Sequence, residues 1–408
     1  MTNPKELDVR EGDGFQYVAR EIVVDRADLP IVMDDLARFG AEPRPVEGPL
    51  REYISIYVLP TDEPDVPTVV QALRKRARNE ELRVGPNTVH RSSSTVWTPA
   101  PDPVYHAGPG GAPEPATPLP YRAEPGGVRV GVRVAVLDTG VAQQALGRKP
   151  LTGRYDPQAA EADPVYISGQ KGQIALTAGH GTMVGAIIAM HAPQAQLLFY
   201  NVLQGNVGGV SVGTDLTVGN GILNAVAAGA TVLNLSLGGY TMPGSPPVAI
   251  DAPLRNIADD IAVVAAAGND TRSDKYYPAA HPRVYAVAAL DTRAWQGDLK
   301  APPPSAPFTN RGTWVAACSA GVWIYSSYVT GRWSHLGHSK QLDYGFAYWS
   351  GTSFAAPHVA AMIADGVRPG QPPRKVADNL IANGTPVPDF GAFLVPPNVL
   401  TGPATWVV

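Results

Sequence analysis

Beyond about residue 128 the chain reads as short, unbroken apolar runs separated by longer stretches of small and apolar residues. Residues 130–137, 197–202, 232–235, 261–266 and 284–289 lack the polar alternation of a half-exposed strand. Runs of that kind suit parallel strands covered on both faces. Between them, residues 181–190, 218–228, 254–260 and 354–365 read as helices. The pattern predicts an α/β fold: a doubly wound, mostly parallel sheet with helices on both faces, joined by right-handed crossovers. Ligands bind such sheets at the carboxyl ends of the strands.

The first part of the chain has a different rhythm. Residues 15–24 and 53–59 have strand character, and 29–40 places Ile31, Val32, Leu36 and Phe39 at helical spacing before stopping at a glycine. Residues 66–78 read as a second helix, and 82–84 begin a third strand. The basic run R-K-R-A-R at 74–78 is followed by Glu80 and Glu81 and reads as a solvated helix face rather than a nucleic-acid contact. Residues 99–125 hold nine prolines. Such density opposes helix and sheet and predicts an extended tether, able to span ~80 Å at ~3.1 Å per residue. The expected organisation is a small N-terminal α/β domain over 1–98, a proline-rich linker over 99–127 and a main domain over 128–408.

Composition adds little to that outline but narrows the partners. With 44% apolar and 17% charged residues, a large core forms without disulfides, and the single Cys318 excludes an intrachain bridge. Cys318 lies in an apolar V-A-A-C-S-A-G run and reads as a buried, inert residue. The net charge of −4 is spread along the chain, so neither nucleic acid nor an anionic membrane is expected as a partner. The N-terminus lacks the basic start and apolar core of a secretory signal, and no run approaches a membrane span. A cytoplasmic protein is expected.

Four segments place polar chemistry at the edges of apolar runs: V-A-V-L-D-T-G around Asp138, G-H-G-T around His180, A-A-A-G-N ending at Asn269, and S-G-T-S-F-A-A-P around Ser353. They supply a carboxylate, an imidazole, an amide and a hydroxyl, the groups needed to cleave an acyl bond through a covalent serine intermediate. A carboxylate abutting an apolar strand needs a donor, and an imidazole N–H is a suitable one. Ser353 falls at a predicted helix N-terminus, where free N–H groups favour developing negative charge, and Pro357 is expected within the first turn, where proline is tolerated. Each residue also has a plainer reading: a turn aspartate, a turn asparagine, a capping serine. Among eight histidines, His180 stands out because it opens an almost wholly apolar helix. His191, His281 and His358 read as structural, and H-L-G-H at 335–338 is only a weak metal-like pair.

These segments, with N-L-S-L-G-G at 234–239, resemble the subtilisin family of serine proteases over about residues 128–366. The order Asp, His, Ser fits that family and not other serine hydrolase folds. The resemblance implies an open sheet of the kind outlined above, with Asp138 orienting His180, His180 as general base and acid, and Ser353 as nucleophile. Asn269 would share the oxyanion with the Ser353 backbone N–H; this and His180 argue against the sedolisin relatives, which use glutamate and aspartate there. Ser236, Leu237 and Gly238 on one side, and residues 265–268 on the other, including Ala266 and Gly268, would flank an extended peptide. Tyr276, before Tyr277-Pro278, resembles the floor of the primary pocket, where a large ring leaves space for small or medium residues.

Two stretches depart from the family. After the histidine helix, A-M-H-A-P-Q-A-Q-L-L-F passes straight to the next strand with no calcium-binding loop. No tightly bound calcium, other metal or cofactor is expected. Residues 325–349 form an enlarged aromatic segment, either a hairpin packed by its own rings or a lid governing access. Residues 1–98 match an N-terminal prodomain in size, or else form a permanent regulatory domain that binds a partner protein. The expected function is a serine endopeptidase acting on protein or peptide substrates. The alternatives are a latent protease switched on by a partner for one dedicated target, and a catalytically silent binding scaffold.

Overall fold

In the computed structural model, which describes residues 5–78, 81–92, 113–115, 131–167, 170–207, 210–293, 295, 297–335 and 338–396, the early apolar segments build a mainly antiparallel sheet. Its strands are β1 (Lys5–Glu6), β2 (Val9–Glu11), β3 (Gln16–Asp25), β4 (Glu42–Arg44), β5 (Ile54–Val58) and β6 (Val84–Ser92). Helices α1 (Leu29–Arg38) and α2 (Val66–Ala77) cover one face, where Val32, Leu36, Val69, Val70 and Leu73 pack on Ile22, Val24 and Val84. Ile31, expected on the apolar face of α1, is 52% exposed.

The expected linker lies outside the described residues except for 113–115. There β7 (Glu114–Pro115) is a strand, so proline density did not exclude sheet pairing at this point. The main sheet is built from β8 (Arg133–Asp138), the short helix α3 (Gln143–Leu146) following it, β9 (Tyr155–Ala160), α4 (His180–His191) and β10 (Gln196–Asn201). A hairpin follows, β11 (Gly205–Val207) and β12 (Val210–Thr214), then α5 (Asp215–Ala227), β13 (Val232–Leu235), β14 (Leu237–Gly238), α6 (Val248–Asn256), β15 (Ala262–Ala266), β16 (Val284–Leu290) and β17 (Ala317–Ala320). Four more strands, β18 (Ile324–Ser327), β19 (Gly331–His335), β20 (His338–Leu342) and β21 (Phe346–Trp349), precede α7 (Thr352–Gly366), α8 (Pro373–Asn383), β22 (Thr385–Val387) and β23 (Gly391–Phe393).

The main sheet runs β22-β23-β17-β16-β15-β13-β8-β10-β9, with only the β22–β23 pair antiparallel. Alternate residues of each strand feed opposite cores, as expected for strands buried on both faces. Val134 and Val136 of β8 and Phe199 of β10 face α4 and α7, whereas Ala135, Leu137 and Leu198 face α5 and α6. The helix expected at 254–260 is displaced: α6 starts at Val248 and carries Pro253 inside it. Proline cannot donate to the carbonyl four residues back. That carbonyl, of Ala249, lies against Gly219 of α5, where any Cβ would collide with it, so the glycine lets the two helices close.

The aromatic segment 325–349 is a hairpin, β19–β20, flanked by the β18–β21 pair, and β7 adds antiparallel to β21. Its rings do more than pack on each other: Tyr328, Trp333 and Trp349 are buried in the main core. The first sheet also takes in three strands from later in the chain, β11, β12 and β14. β6 runs antiparallel to β12 on one side and to β14 on the other, while β1 pairs in parallel with β11. The hairpin β11–β12 is therefore held along both edges by N-terminal strands.

Candidate active site

Asp138 is the last residue of β8, and His180 is the first of α4. Nδ1 of His180 lies 2.7 Å and 2.9 Å from the two carboxylate oxygens of Asp138. With the proton on Nδ1 facing the carboxylate, Nε2 keeps the lone pair. That nitrogen is buried and makes no hydrogen bond. The ring is set edge-on to Trp349 at 5.7 Å and lies 5.3 Å from Phe354. Asp138, His180 and Ser353 are all 0% exposed.

Ser353 sits in the first turn of α7, as expected, but its hydroxyl donates to the carbonyl of Ser236 at 3.0 Å and not to the imidazole. Pro357 lies beyond that first turn, a correction with a consequence. Its missing N–H leaves the Ser353 carbonyl without a helical donor. The hydroxyl of Ser236 fills the gap, donating to that carbonyl at 2.8 Å while accepting from the Asn234 amide at 2.9 Å. Ser236 therefore anchors Ser353 through both its main chain and its side chain.

Asn269 follows β15 by a short loop. Its Oδ1 accepts from the N–H and the hydroxyl of Thr352, at 2.9 Å and 3.0 Å, which directs the NH2 end of the amide away from Thr352. Gly268 N–H donates in turn to Thr352 Oγ1 at 3.1 Å. The loop is braced by Asn310, which no motif singled out. Its Oδ1 accepts from Asp270 and Arg272 N–H groups, and its Nδ2 donates to Ala267 O and Tyr240 Oη.

The residues expected to flank a substrate lie on or just beyond two strands. Leu237 and Gly238 form β14, and Ala266 ends β15 with Gly268 two residues on. The ring of Tyr276 fills the space between them: a Cβ at Gly238 would collide with it, and one at Gly268 would lie 3.1 Å from it. Tyr276 is buried and meets Tyr240 edge-on at 5.1 Å. The slot between β12 and β14 holds β6, with Arg91 opposite both Val212 and Gly238, and Ser92 opposite Leu237. Beside it, His90 Nε2 lies 2.6 Å from Asp215 Oδ1, both side chains wholly buried. Asp215 opens α5, and its second oxygen accepts from Thr88 N–H at 3.0 Å.

A further buried carboxylate lies near the dyad. Burial pushes Asp163 up to about 7, opposed by hydrogen bonds from Thr139 and Gly179. Elsewhere, burial holds His191 down to about 4 and His358 well below the ordinary imidazole range, so both are neutral. Burial also lifts the Cys318 thiol to about 12, which leaves it inert. Among the described residues no group of three or more His, Cys, Asp or Glu side chains is arranged to hold a metal ion, and no helix is long and apolar enough to cross a membrane.

Residues 129–381 match the model of the subtilase family. The thermophilic serine proteinase of Bacillus sp. (strain AK1) is 31% identical over 264 residues, covering 62% of this chain and 58% of that protein. Thermitase of Thermoactinomyces vulgaris is 32% identical over 234 residues, covering 57% of this chain and 73% of that protein. Among solved structures, fervidolysin from Fervidobacterium pennivorans, a keratinolytic enzyme related to subtilisin, aligns over 98% of this chain and 65% of its own, at 23% identity and a TM-score of 0.62. This chain thus spans less than two thirds of the AK1 proteinase and of fervidolysin. The fervidolysin likeness bears out the expected sheet architecture.

Proposed function

The chain belongs to the subtilase family, and we propose that it is a serine endopeptidase working through an acyl-enzyme on Ser353. In the reactive arrangement the Ser353 hydroxyl turns from the Ser236 carbonyl to Nε2 of His180. Oγ then attacks the carbonyl carbon of the scissile peptide as its proton passes to Nε2, and Asp138 stabilises the resulting imidazolium. The oxyanion accepts from the Asn269 amide and the Ser353 N–H. The imidazolium returns its proton to the leaving amine, the C–N bond breaks, and water repeats the sequence to free the acid. The observation that carries this reading is the Asp138–His180 pair: one ring nitrogen is fixed by the carboxylate and the other is left without a partner. Covalent labelling by a fluorophosphonate, present in the wild type and absent in Ser353→Ala, tests it; a wild type that never labels under any activating condition sinks it.

A second observation supports latency. β14, on which an extended peptide is expected to add as a strand, is already paired with residues 91–92 of the same chain, and residues 89–91 pair with β12 on their other side. We read residues 1–98 as an intramolecular inhibitor, tied on by the buried His90–Asp215 pair and by Arg255 bonding Asp25 across the two units. A cut within the first few residues after Ser92 releases it. Incubating wild type beside Ser353→Ala and sequencing the new N-terminus tests this; identical processing of both would refute self-cleavage. In the released enzyme the Tyr276 ring shortens the primary pocket, so small or medium residues precede the cut.

A further inference from the structure

One buried carboxylate has no part in the acyl-transfer steps. Asp163 lies in the loop after β9, and its Oδ2 accepts from Gly179 N–H at 2.7 Å and from the Thr139 hydroxyl at 2.8 Å. The Thr139 oxygen accepts from Gly181 N–H at 3.1 Å, and Thr139 N–H donates to Asp138 Oδ1 at 2.7 Å. A single carboxylate oxygen thus restrains the main chain on both sides of His180, directly at one neighbour and through Thr139 at the other. It also tightens the backbone beside Asp138. The loop is itself stitched in place, since Asp163 N–H donates to Val141 O at 3.0 Å.

The need for an outside partner follows from the sequence of α4. Its N-cap is Gly179, at φ 77°, which has no side chain to satisfy the first free N–H groups. Thr139 takes the Gly181 N–H while Asp163, from another loop, takes the Gly179 N–H and holds the Thr139 hydroxyl; a carboxylate charge there is of the sign that a helix N-terminus favours. We propose that Asp163 is a positioning residue for His180: it fixes the turn that carries the imidazole and sets a negative charge beside the Asp138–His180 pair. The proposal rests on the serine protease reading of the site. An amide would satisfy the same two donors without the desolvation that burial imposes on a carboxylate. What the carboxylate adds, from about pH 7 upward where it is ionised, is charge. The ionisable groups facing it are Asp138, which opposes that charge, His180, whose protonated form it favours, and the phenol of Tyr328, whose hydroxyl donates to Ala178 O.

The test uses the full chain, incubated until hydrolysis of one chromogenic peptide is constant, with kcat and KM measured from pH 5 to 9. Asp163→Ala loses the restraint, and kcat falls by about 10–100-fold with KM little changed, as expected for a misplaced catalytic group. Asp163→Asn keeps both hydrogen bonds and, at pH 9, stays within about threefold of wild type, yet its acid limb of kcat/KM moves to lower pH because His180 has lost a neighbouring anion. An active wild type matched by Asp163→Ala overturns the proposal, and so does an Asp163→Asn profile that coincides with wild type. Should Asp163→Ala fail to fold, the profile of Asp163→Asn decides alone. A wild type that neither hydrolyses nor takes a fluorophosphonate fails at the protease reading itself, a result distinct from either of these.

Discussion

Replacing Tyr276 by alanine tests how the primary pocket is built. The ring stands between the backbones of Gly238 and Gly268, in the space proposed to take the side chain before the cut. Its neighbour Tyr240 is not free to collapse into the gap. The Tyr240 hydroxyl donates to Asp270 at 2.9 Å and accepts from Asn310 at 3.1 Å, and Arg272 lies 4.9 Å over its ring. Removing the Tyr276 phenol therefore opens a pocket of about the volume lost. Burying a phenylalanine-sized side chain there is worth about 1.5–3 kcal/mol. At 1.36 kcal/mol per tenfold, the ratio of kcat/KM for a peptide with Phe before the cut to that for the Ala analogue should rise by about 10–150-fold. The assay compares two peptides differing only at that position, in wild type and in Tyr276→Ala. A folded, active variant whose ratio is unchanged would show that the ring does not floor the pocket.

Four further outcomes follow. Asn269→Ala should lower kcat by about 10²–10³ with little change in KM, a magnitude drawn from a member of this family; steady-state kinetics with a loss under threefold would remove it from the oxyanion site. Ser236→Ala strands both the Ser353 carbonyl and the Asn234 amide, each buried, and should cost about 1–3 kcal/mol of stability by urea melts; an unchanged midpoint would contradict that anchoring. His90→Ala leaves the buried Asp215 carboxylate without its imidazole partner, with only the Thr88 N–H on its other oxygen, and should weaken docking of residues 1–92 by about 3–5 kcal/mol, seen as faster appearance of activity; unaltered activation kinetics would count against it. Asp163 has a folded value of about 7 against an ordinary 3.8. Because that value is raised, its contribution to stability is fully present below about pH 4 and lost as pH rises through 7, a change of roughly 4 kcal/mol. Asp163→Asn lacks this slope, so its urea stability should gain on wild type between pH 5 and 8; parallel curves would refute the shift.

The parallel strands were legible because burial on both faces removes polar alternation, and β13 spans the very residues that its apolar run marks out, Val232–Leu235. The dyad was legible for a related reason: a charged residue at the end of such a run has few ways to be satisfied. What stayed hidden depends on contacts distant in sequence. The helix expected to begin at residue 254 in fact runs through Pro253, and the carbonyl that the proline frees meets a residue without a Cβ on α5. Asp163 and Asn310 sit in loops with no local pattern; each acquires its role from partners that only the fold brings near. The Ser353 hydroxyl, expected beside the imidazole, bonds to Ser236 instead, and no spacing rule reports a side-chain torsion. In the same way, pairing of Pro115 with β21 depends on which side of the residue faces the neighbouring strand, not on how many prolines surround it.

The β11–β12 hairpin has a neighbour on each side, and both come from the first 92 residues. Detaching those residues bares two rows of backbone donors and acceptors at the same moment. Unpaired ladder edges join any extended chain they meet, another copy included. Capture of substrate and sticking between copies therefore compete for the same exposed peptide groups.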